Sequence, residues 1–514
     1  MVTGSRQFEA AVGVVARLRA EGYEAFLAGG CVRDLILGRE PKDYDVATSA
    51  TPDVVLGMFE RTFAVGAHFG VVLVGTCGAA DAAYAAGQER GEPEYVVTEV
   101  ATFRSDGAYS DGRHPDAVRY TTSAEEDVKR RDFTINGLLM DPLRKPEEQP
   151  QVLRLPAVAQ DDSLFFVIQE EKQKRVLRCA QDDSRRFVIQ DDGRFGSTVL
   201  DFVGGVADLE AGVVRAIGRA ELRFEEDHLR MLRGVRFAAR FGFAIEDGTK
   251  AAMRGLAGRL AAVSRERVRD ELTKMLTEGH ARRAFELLDE TGLLTEVLPE
   301  VARMKGVEQP VQYHPEGDVW VHTLGLLGQL EEGCSATLAW GALLHDVGKP
   351  PTFRRAPDRI RFDGHVDVGV AMGAEILRRF RFSNEETRQI LALIENHMRF
   401  ADAGRMKTST LKRFFRLPDF PEHLALHRMD CMAGSKNLEH WEFVRERFEA
   451  MSEETVRPKP LITGRELIAA GYAPGAGFKE MLRAVEDAQL EGTIATEEEA
   501  LRMVRERFPG VPRR

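Results

Sequence analysis

The chain has 514 residues, 43% hydrophobic and 30% charged, with 71 Lys and Arg against 82 Asp and Glu for a net charge of −11. That length predicts three or four domains at about 150 residues each, and the composition excludes a collagen-like, mucin-like or wholly disordered chain. No apolar run reaches the ~18 residues of a membrane span, and Met1 to Leu18 lacks the apolar core of a secretory signal. Five scattered cysteines, Cys31, Cys77, Cys179, Cys334 and Cys431, form no C-x-x-C. They predict a reducing, cytoplasmic setting and argue against a thiolate zinc site.

Taken in order, residues 1–144 read as an α/β head. Helical periodicity covers Phe8 to Glu21, and short apolar strands follow at Ala25–Leu27, Tyr44–Ala47, Val71–Val74 and Tyr95–Thr102. Gly75 to Pro93 reads as a small insertion. A larger one, 145–197, holds a repeat: Ala159–Glu171 is AQDDSLFFVIQEE and Ala180–Asp192 is AQDDSRRFVIQDD, nine of thirteen positions identical at an offset of 21. Two copies are too few for a solenoid, so a surface insertion of β-hairpins is expected. Residues 198–300 read as a helical neck, and the pattern is almost wholly helical from Glu221 onward. Val301 to Gly317, marked by Pro310, Pro315 and Gly317, reads as a linker. A second helical domain spans 310–450, and a helical tail spans 451–514.

The head carries the first chemistry. Residues 28–38 read AGGCVRDLILG. Gly29 and Gly30 allow backbone N–H groups to approach a phosphate at a strand-to-helix turn, and Arg33 reaches the same anion. Asp43 and Asp45, two apart on an extended segment, project side by side, the spacing for two Mg²⁺ ions in phosphoryl transfer. Lys129 to Asn136, KRRDFTIN, couples Arg131 with Asp132 and Asn136, which can bind ribose hydroxyls. Asp227 and Arg230 are read as i and i+3 on one helix. A carboxylate accepts from an exocyclic amine and a guanidinium donates to ring nitrogen or carbonyl oxygen, so this pair can select C or A.

In order, LAGGCVRDLILG, DYDVATSATPD, VATFRSDGAYSDGRHPD, RRDFTINGLLMD, DFVGGVADL, EDHLRMLRGVRFAARFGF and VSRERVRDEL resemble the bacterial class II tRNA nucleotidyltransferases. That family includes the CCA-adding enzymes and bacterial poly(A) polymerases. The resemblance covers about residues 20–300, less the insertions. It implies an α+β fold: a polymerase-β-like nucleotidyltransferase head, a small mixed sheet plus helices, then an all-α neck. It further implies Mg²⁺ on Asp43 and Asp45, the triphosphate on Gly29, Gly30 and Arg33, and the nucleotide on Arg131, Asp132 and Asn136. Asp227 and Arg230 would read the base, and Arg104 to Asp116 would be the flexible loop of terminal A addition. ATP, CTP and tRNA are the implied partners, with no membrane. Gly66–Val74, GAHFGVVLV, looks more like the CCA-adding side than poly(A) polymerase. The departure is the insertion between Asp141 and Asp201, tolerable where its ends meet.

The second helical domain holds His345-Asp346 in LAWGALLHDVGKP, with His322 upstream and His365, His397 and Asp430 downstream. The order H…HD…H…H…D resembles the HD phosphohydrolase superfamily. It implies a divalent metal on His322, His345, Asp346 and Asp430, with His365 and His397 holding a second metal or a phosphate. A hydrolase in which this site alone works is the alternative from another class. An acidic chain must hold RNA on local basic surface. The candidates are Arg230, Arg233, Arg236 and Arg240, and the stretch Arg405 to Arg416, against the alternative of solvated helix faces.

Overall fold

The computed structural model describes residues 5–64, 70–76, 95–106, 118–143, 175–178, 186–191 and 195–509. The first repeat copy, most of Gly75 to Pro93, residues 65–69 and all but the first three residues of the expected Arg104 to Asp116 loop lie outside the described residues. The described residues form two compact units, 1–263 with 291–293, and 264–290 with 294–514. Residues 198–300, expected as one neck, are therefore shared between them.

The first unit is built on strands β1 (Ala25–Ala28), β2 (Val46–Thr48), β3 (Thr62–Phe63), β4 (Val71–Thr76), β5 (Val96–Thr102), β6 (Arg104–Asp106), β7 (Val118–Tyr120), β8 (Leu138–Asp141), β9 (Arg175–Arg178), β10 (Arg186–Asp191) and β11 (Phe195–Asp201). Nine of them make one mixed sheet in the order β3-β4-β5-β2-β1-β8-β11-β10-β9. Its neighbours are antiparallel except β2 and β5, which run parallel with Val46 opposite Val100. β6 and β7 form a separate antiparallel pair.

Helix Arg6–Ala20 covers one face. Ser5 caps it by accepting from Phe8 N (3.1 Å), one of the donors a helix start leaves without an intrahelical partner. Ala11, Val14, Val15 and Leu18 recur at three- and four-residue steps and are fully buried. Each Val or Leu so buried contributes roughly 1.5–3 kcal/mol. Arg19 ties the helix to the end of β8, donating from Nη1 to Asp141 Oδ1 (2.8 Å).

The sheet is larger than the small one expected because the insertion adds to it. β8 leaves at Asp141 and β11 returns opposite it, with Thr198 facing Asp141 and Val199 facing Met140. β10 pairs with β11 and β9 with β10, both antiparallel, so the second repeat copy supplies one strand, β10, of the added sheet margin.

The second unit is helical. Helices Val319–Leu327 and Ala336–Leu344 are apolar almost all round and sit inside the bundle, with Leu326, Trp340, Leu343 and Leu344 fully buried. Helices His365–Arg379, Asn384–Asn396 and Phe420–Ala433 complete the bundle. Gly348 lets the chain after His345-Asp346 touch helix His365–Arg379, for a Cβ there would lie 2.1 Å from His365 O. The tail has its own small core of Ile462, Leu467, Tyr472, Val485, Ala500 and Val504.

Candidate functional site

In the head, β1 ends at Ala28 and helix Gly30–Ile36 begins two residues later. Gly29 turns the chain at φ +72, and a Cβ on it would meet Arg131 Nη1 at 2.9 Å. Glycine is needed there for both reasons. Its N–H is committed to the sheet, donating to Leu138 O (2.9 Å).

Asp43 and Asp45 lie on the extended segment just before β2, Asp43 exposed and Asp45 half-buried. The parallel pairing of β2 with β5 brings Glu99 beside them. Burial pushes Asp45 up to about 6, helped by the charges of Glu99 and Asp43 and opposed by Arg131. Burial, then Asp43, also raises Glu99. Carboxylates that repel one another in a half-buried site fit a divalent cation.

The remaining candidates form a buried network. Arg33 Nη1 donates to Asn136 Oδ1 (2.5 Å), and its guanidinium lies 4.6 Å from the Phe241 ring centroid. Asn136 Nδ2 donates to Asp132 Oδ1 (3.2 Å), and Arg233 Nε donates to Asp132 Oδ2 (2.9 Å). Burial works against a charged Asp132, but Arg233 and Asn136 hold it below the usual carboxylate range. Arg131 donates to Asp127 Oδ2 (3.0 Å from Nη2). Arg130 Nη2 donates to Asp127 Oδ1 (2.6 Å), as does Arg104 N (3.3 Å). Sequence reading missed both Glu99 and Asp127: one looks like a strand's outward residue, the other like part of a solvated acidic turn.

Asp227 and Arg230 do not share a helix face as expected. Asp227 is the extended C-cap of helix Ala220–Glu226, and Arg230 opens helix Arg230–Phe241. The break has a local cause: Asp227 Oδ1 accepts from Leu229 N (3.1 Å) and Asp227 O from Arg230 N (3.0 Å), a turn that ends the first helix. Arg230 still reaches the network, donating to Glu226 Oε2 (2.5 Å) and to Arg130 O (3.4 Å).

In the second unit the structure gathers all six predicted positions. His322 lies on helix Val319–Leu327, His345 and Asp346 follow helix Ala336–Leu344, His365 opens helix His365–Arg379, His397 caps Asn384–Asn396, and Asp430 lies on Phe420–Ala433. His322, His345 and Asp430 form one ligand group and Asp346, His365 and His397 another, the ligand atoms of each within 4.8 Å of one another. Asp346 touches both sets: Oδ2 is 3.1 Å from His345 Nε2, and Oδ1 is 3.8 Å from His397 Nε2.

Nδ1 of His345, His365 and His397 lies 2.9, 3.0 and 2.7 Å from the carbonyls of Ala342, Phe362 and Ile394. A carbonyl only accepts, so each Nδ1 carries the proton and each Nε2 offers a lone pair. Among the described residues, Nε2 of His365 and His397 and Asp346 Oδ1 are buried without a hydrogen-bond partner, while Nε2 of His322 and His345 meet only carboxylate oxygens, Asp430 Oδ1 at 3.0 Å and Asp346 Oδ2 at 3.1 Å. Orphaned atoms of this kind fit a metal. Burial holds His397 down to about 4, so it is neutral as a ligand must be. Burial opposes a charged His322, yet Asp430 and Glu316 raise it to about 9, the mark of a site built for positive charge. A cavity of about 810 Å³ opens on the group, lined by Tyr313, Lys349, Arg359, Arg361, His365 and Asp430 among others.

The basic stretches are less open than their sequence suggests. Arg413 pairs with Glu486 (2.7 Å) and Asp487 (2.5 Å), Arg416 with Glu486 (2.5 Å), and Lys412 Nζ donates to Leu490 O (2.7 Å). This segment holds the tail helix Gly477–Glu491. On the neck helix, Arg230 and Arg233 are paired with Glu226 and Asp132, and Arg236 is buried against Phe237.

Comparison with known proteins agrees with this layout. Residues 25–149 match the poly A polymerase head domain, 242–305 a probable RNA- and SrmB-binding site of polymerase A, and 319–429 the HD domain. The CCA-adding enzyme of Geobacillus thermodenitrificans is 36% identical over 295 residues, and that match spans 57% of this chain and 55% of the enzyme's own length. The crystal structure of the Bacillus stearothermophilus CCA-adding enzyme in complex with CTP superposes with a TM-score of 0.64 at 25% identity, covering 98% of each chain. The A-adding tRNA nucleotidyltransferase of Deinococcus radiodurans is 31% identical over 507 residues, 95% of this chain and 96% of its own. A likeness sustained from end to end, on a polymerase head followed by an HD domain, makes this chain a member of the bacterial tRNA nucleotidyltransferase family.

Proposed function

We propose that the protein adds C and A nucleotides to the 3′ end of tRNA in the cytoplasm, without a nucleic-acid template, using CTP and ATP and releasing pyrophosphate. The observation that carries this reading is the carboxylate cluster of Asp43, Asp45 and Glu99 next to Arg131 and the Gly29 turn. Asp43 and Asp45 are assigned to hold Mg²⁺. Bound there, the ions supply charge neutralisation at the attacking and leaving oxygens of an in-line displacement. Gly29, Gly30 and Arg33 are assigned to the triphosphate, Arg131, Asp132 and Asn136 to the incoming nucleotide, and Asp227 with Arg230 to selection of the base. Relatives named for CCA addition and for A addition both support the reaction class.

The test is incubation with tRNA lacking its 3′ end and each labelled nucleotide in turn. C and A should enter and U and G should not. Incorporation of A alone, and only on tRNA ending in CC, identifies an A-adding enzyme. Long A tracts on unrelated RNA identify a poly(A) polymerase. No incorporation overturns the proposal.

A second activity is supported by the four imidazole Nε2 atoms gathered within 4.0 Å of the Asp346 carboxylate. The HD centre is assigned a metal-dependent phosphohydrolase activity on phosphomonoesters or 2′,3′-cyclic phosphates of RNA ends. His322, His345, Asp346 and Asp430 would hold the metal, His365 and His397 a second metal or a substrate phosphate, and Lys349 supplies a cation 2.7 Å from Asp346. Assay of the wild type with Mg²⁺, Mn²⁺, Ni²⁺ and Co²⁺ tests it. An absence of hydrolysis with all four makes the domain a scaffold for tRNA.

A further inference from the structure

Glu316 lies in the segment expected as a linker, two residues before the cap of helix Val319–Leu327. One of its oxygens, Oε1, meets two imidazoles: His322 Nδ1 at 2.6 Å and His314 Nδ1 at 2.9 Å. The two rings stand edge to face with centroids 4.8 Å apart. The His322 ring is fully buried and Glu316 half-buried, and the shielded Glu316 Oε2 has no hydrogen-bond partner among the described residues.

The contrast with the other histidines is specific. His345, His365 and His397 are each oriented by the backbone carbonyl three residues upstream. For His322 that carbonyl is Val319 O, and it accepts from the Thr323 hydroxyl (2.8 Å). Among the described residues, Glu316 is the acceptor that meets His322 Nδ1, so it decides which nitrogen keeps the proton. An ionised carboxylate only accepts, so Glu316 keeps a proton on Nδ1, and Nε2, 3.0 Å from Asp430, is the nitrogen left to give up its proton to a metal.

The segment that carries Glu316 is itself closed. Gln309 N donates to Gly317 O and Val319 N to Val307 O, both 3.0 Å, and Glu308 bridges to Asp318. Lys349 Nζ donates to Gln309 Oε1 (2.5 Å) and reaches Asp346 Oδ2 (2.7 Å). The loop is therefore held on the ligand set at two points, through Glu316 and through Gln309.

We propose that Glu316 is the positioning residue of the HD metal centre, a carboxylate that sets the tautomer and direction of the ligand His322. The inference rests on the reading that this centre holds a metal. A carboxylate behind a ligating imidazole also raises ligand basicity, and loss of such a partner typically weakens metal binding about 10–100-fold.

The test is Co²⁺ binding by full-length protein carrying Asp43→Ala and Asp45→Ala, so that the head does not contribute. Visible absorption and calorimetry are read together, with a melting curve of each metal-free variant. Glu316→Ala should bind Co²⁺ about 10–100-fold more weakly and change the ligand-field spectrum. Glu316→Gln, which keeps an acceptor oxygen but no charge, should recover part of the affinity. His314→Gln disturbs the same loop but leaves the carboxylate, and should keep the parent affinity and spectrum. Parent-like binding by Glu316→Ala overturns the inference. Should that variant not fold, a Glu316→Gln protein indistinguishable from its parent in both readouts overturns it instead. Equal losses in His314→Gln and Glu316→Ala would make the effect one of loop stability and overturn it as well. A parent protein that takes up no Co²⁺, Mn²⁺ or Ni²⁺ overturns the metal reading itself, and this inference with it.

Discussion

Glu99 stands beside Asp45 because β2 and β5 are parallel neighbours, with Val46 opposite Val100, so the residues that precede each valine are adjacent as well. Each of the two acids is raised by burial, Asp45 to about 6 with Glu99 contributing. Asp43→Ala or Asp45→Ala should abolish transfer of both C and A while tRNA binding stays within a few-fold, since each change removes a metal ligand and no RNA contact. Glu99→Gln keeps the shape and removes one charge, so it should raise the Mg²⁺ concentration needed for half-maximal transfer. Labelled-nucleotide incorporation across a Mg²⁺ series, with filter binding of tRNA, checks all three. Normal incorporation by either aspartate variant would defeat the assignment.

Base choice is read at Asp227. A bidentate base contact is worth ~1–3 kcal/mol, so Asp227→Ala should lower discrimination against U and G roughly 5–150-fold. The residue also caps a turn through Leu229 N, so a thermal melt belongs beside the assay. Unchanged selectivity with reduced total activity would mark a structural residue.

Separate chemistry predicts separate loss. His345→Ala with Asp346→Ala should remove metal-dependent phosphatase or cyclic phosphodiesterase activity and leave nucleotide addition largely intact. Both side chains are fully buried, so the melting curve of the double variant is part of the measurement. A folded double variant that no longer adds nucleotides would show the two sites to be coupled.

His423 gives a stability prediction. Burial lowers it from 6.5 to about 4, with Glu422 opposing and Arg399 assisting. Above pH 6.5 neither the folded nor the unfolded chain holds this proton; below it the unfolded chain takes the proton first. Stability should therefore decline between about pH 6.5 and pH 4 by up to roughly 3 kcal/mol from this group and then level off. His423→Leu should flatten that decline in denaturant unfolding followed at pH 7, 6 and 5. An identical pH slope in the variant would remove His423 from the account.

What the sequence disclosed follows from how local each signal is. The Gly29-Gly30 turn, the Asp43/Asp45 spacing and the HD pair are written within a few consecutive residues, and the helical repeat of the second half is strong. Glu99 and Glu316 were hidden because each acts on a partner that only strand pairing or loop closure brings near. Arg413 and Arg416 look like an RNA clamp in isolation; their neutralising partners, Glu486 and Asp487, lie some seventy residues onward. Asp227 was placed on a helix by spacing alone, where its own side chain bonds the backbone and ends one.

The opposition of Asp141 and Thr198 has an evolutionary meaning. A polypeptide that departs from a strand's end and returns paired with that same strand behaves as a port. Material can be added or deleted beyond that port without renumbering any contact among β1, β2, β4 and β5, where the carboxylates stand. Duplication of a 21-residue unit is the sort of change such a port admits, for β10 of the second copy lies beyond β11, away from β1 and β2.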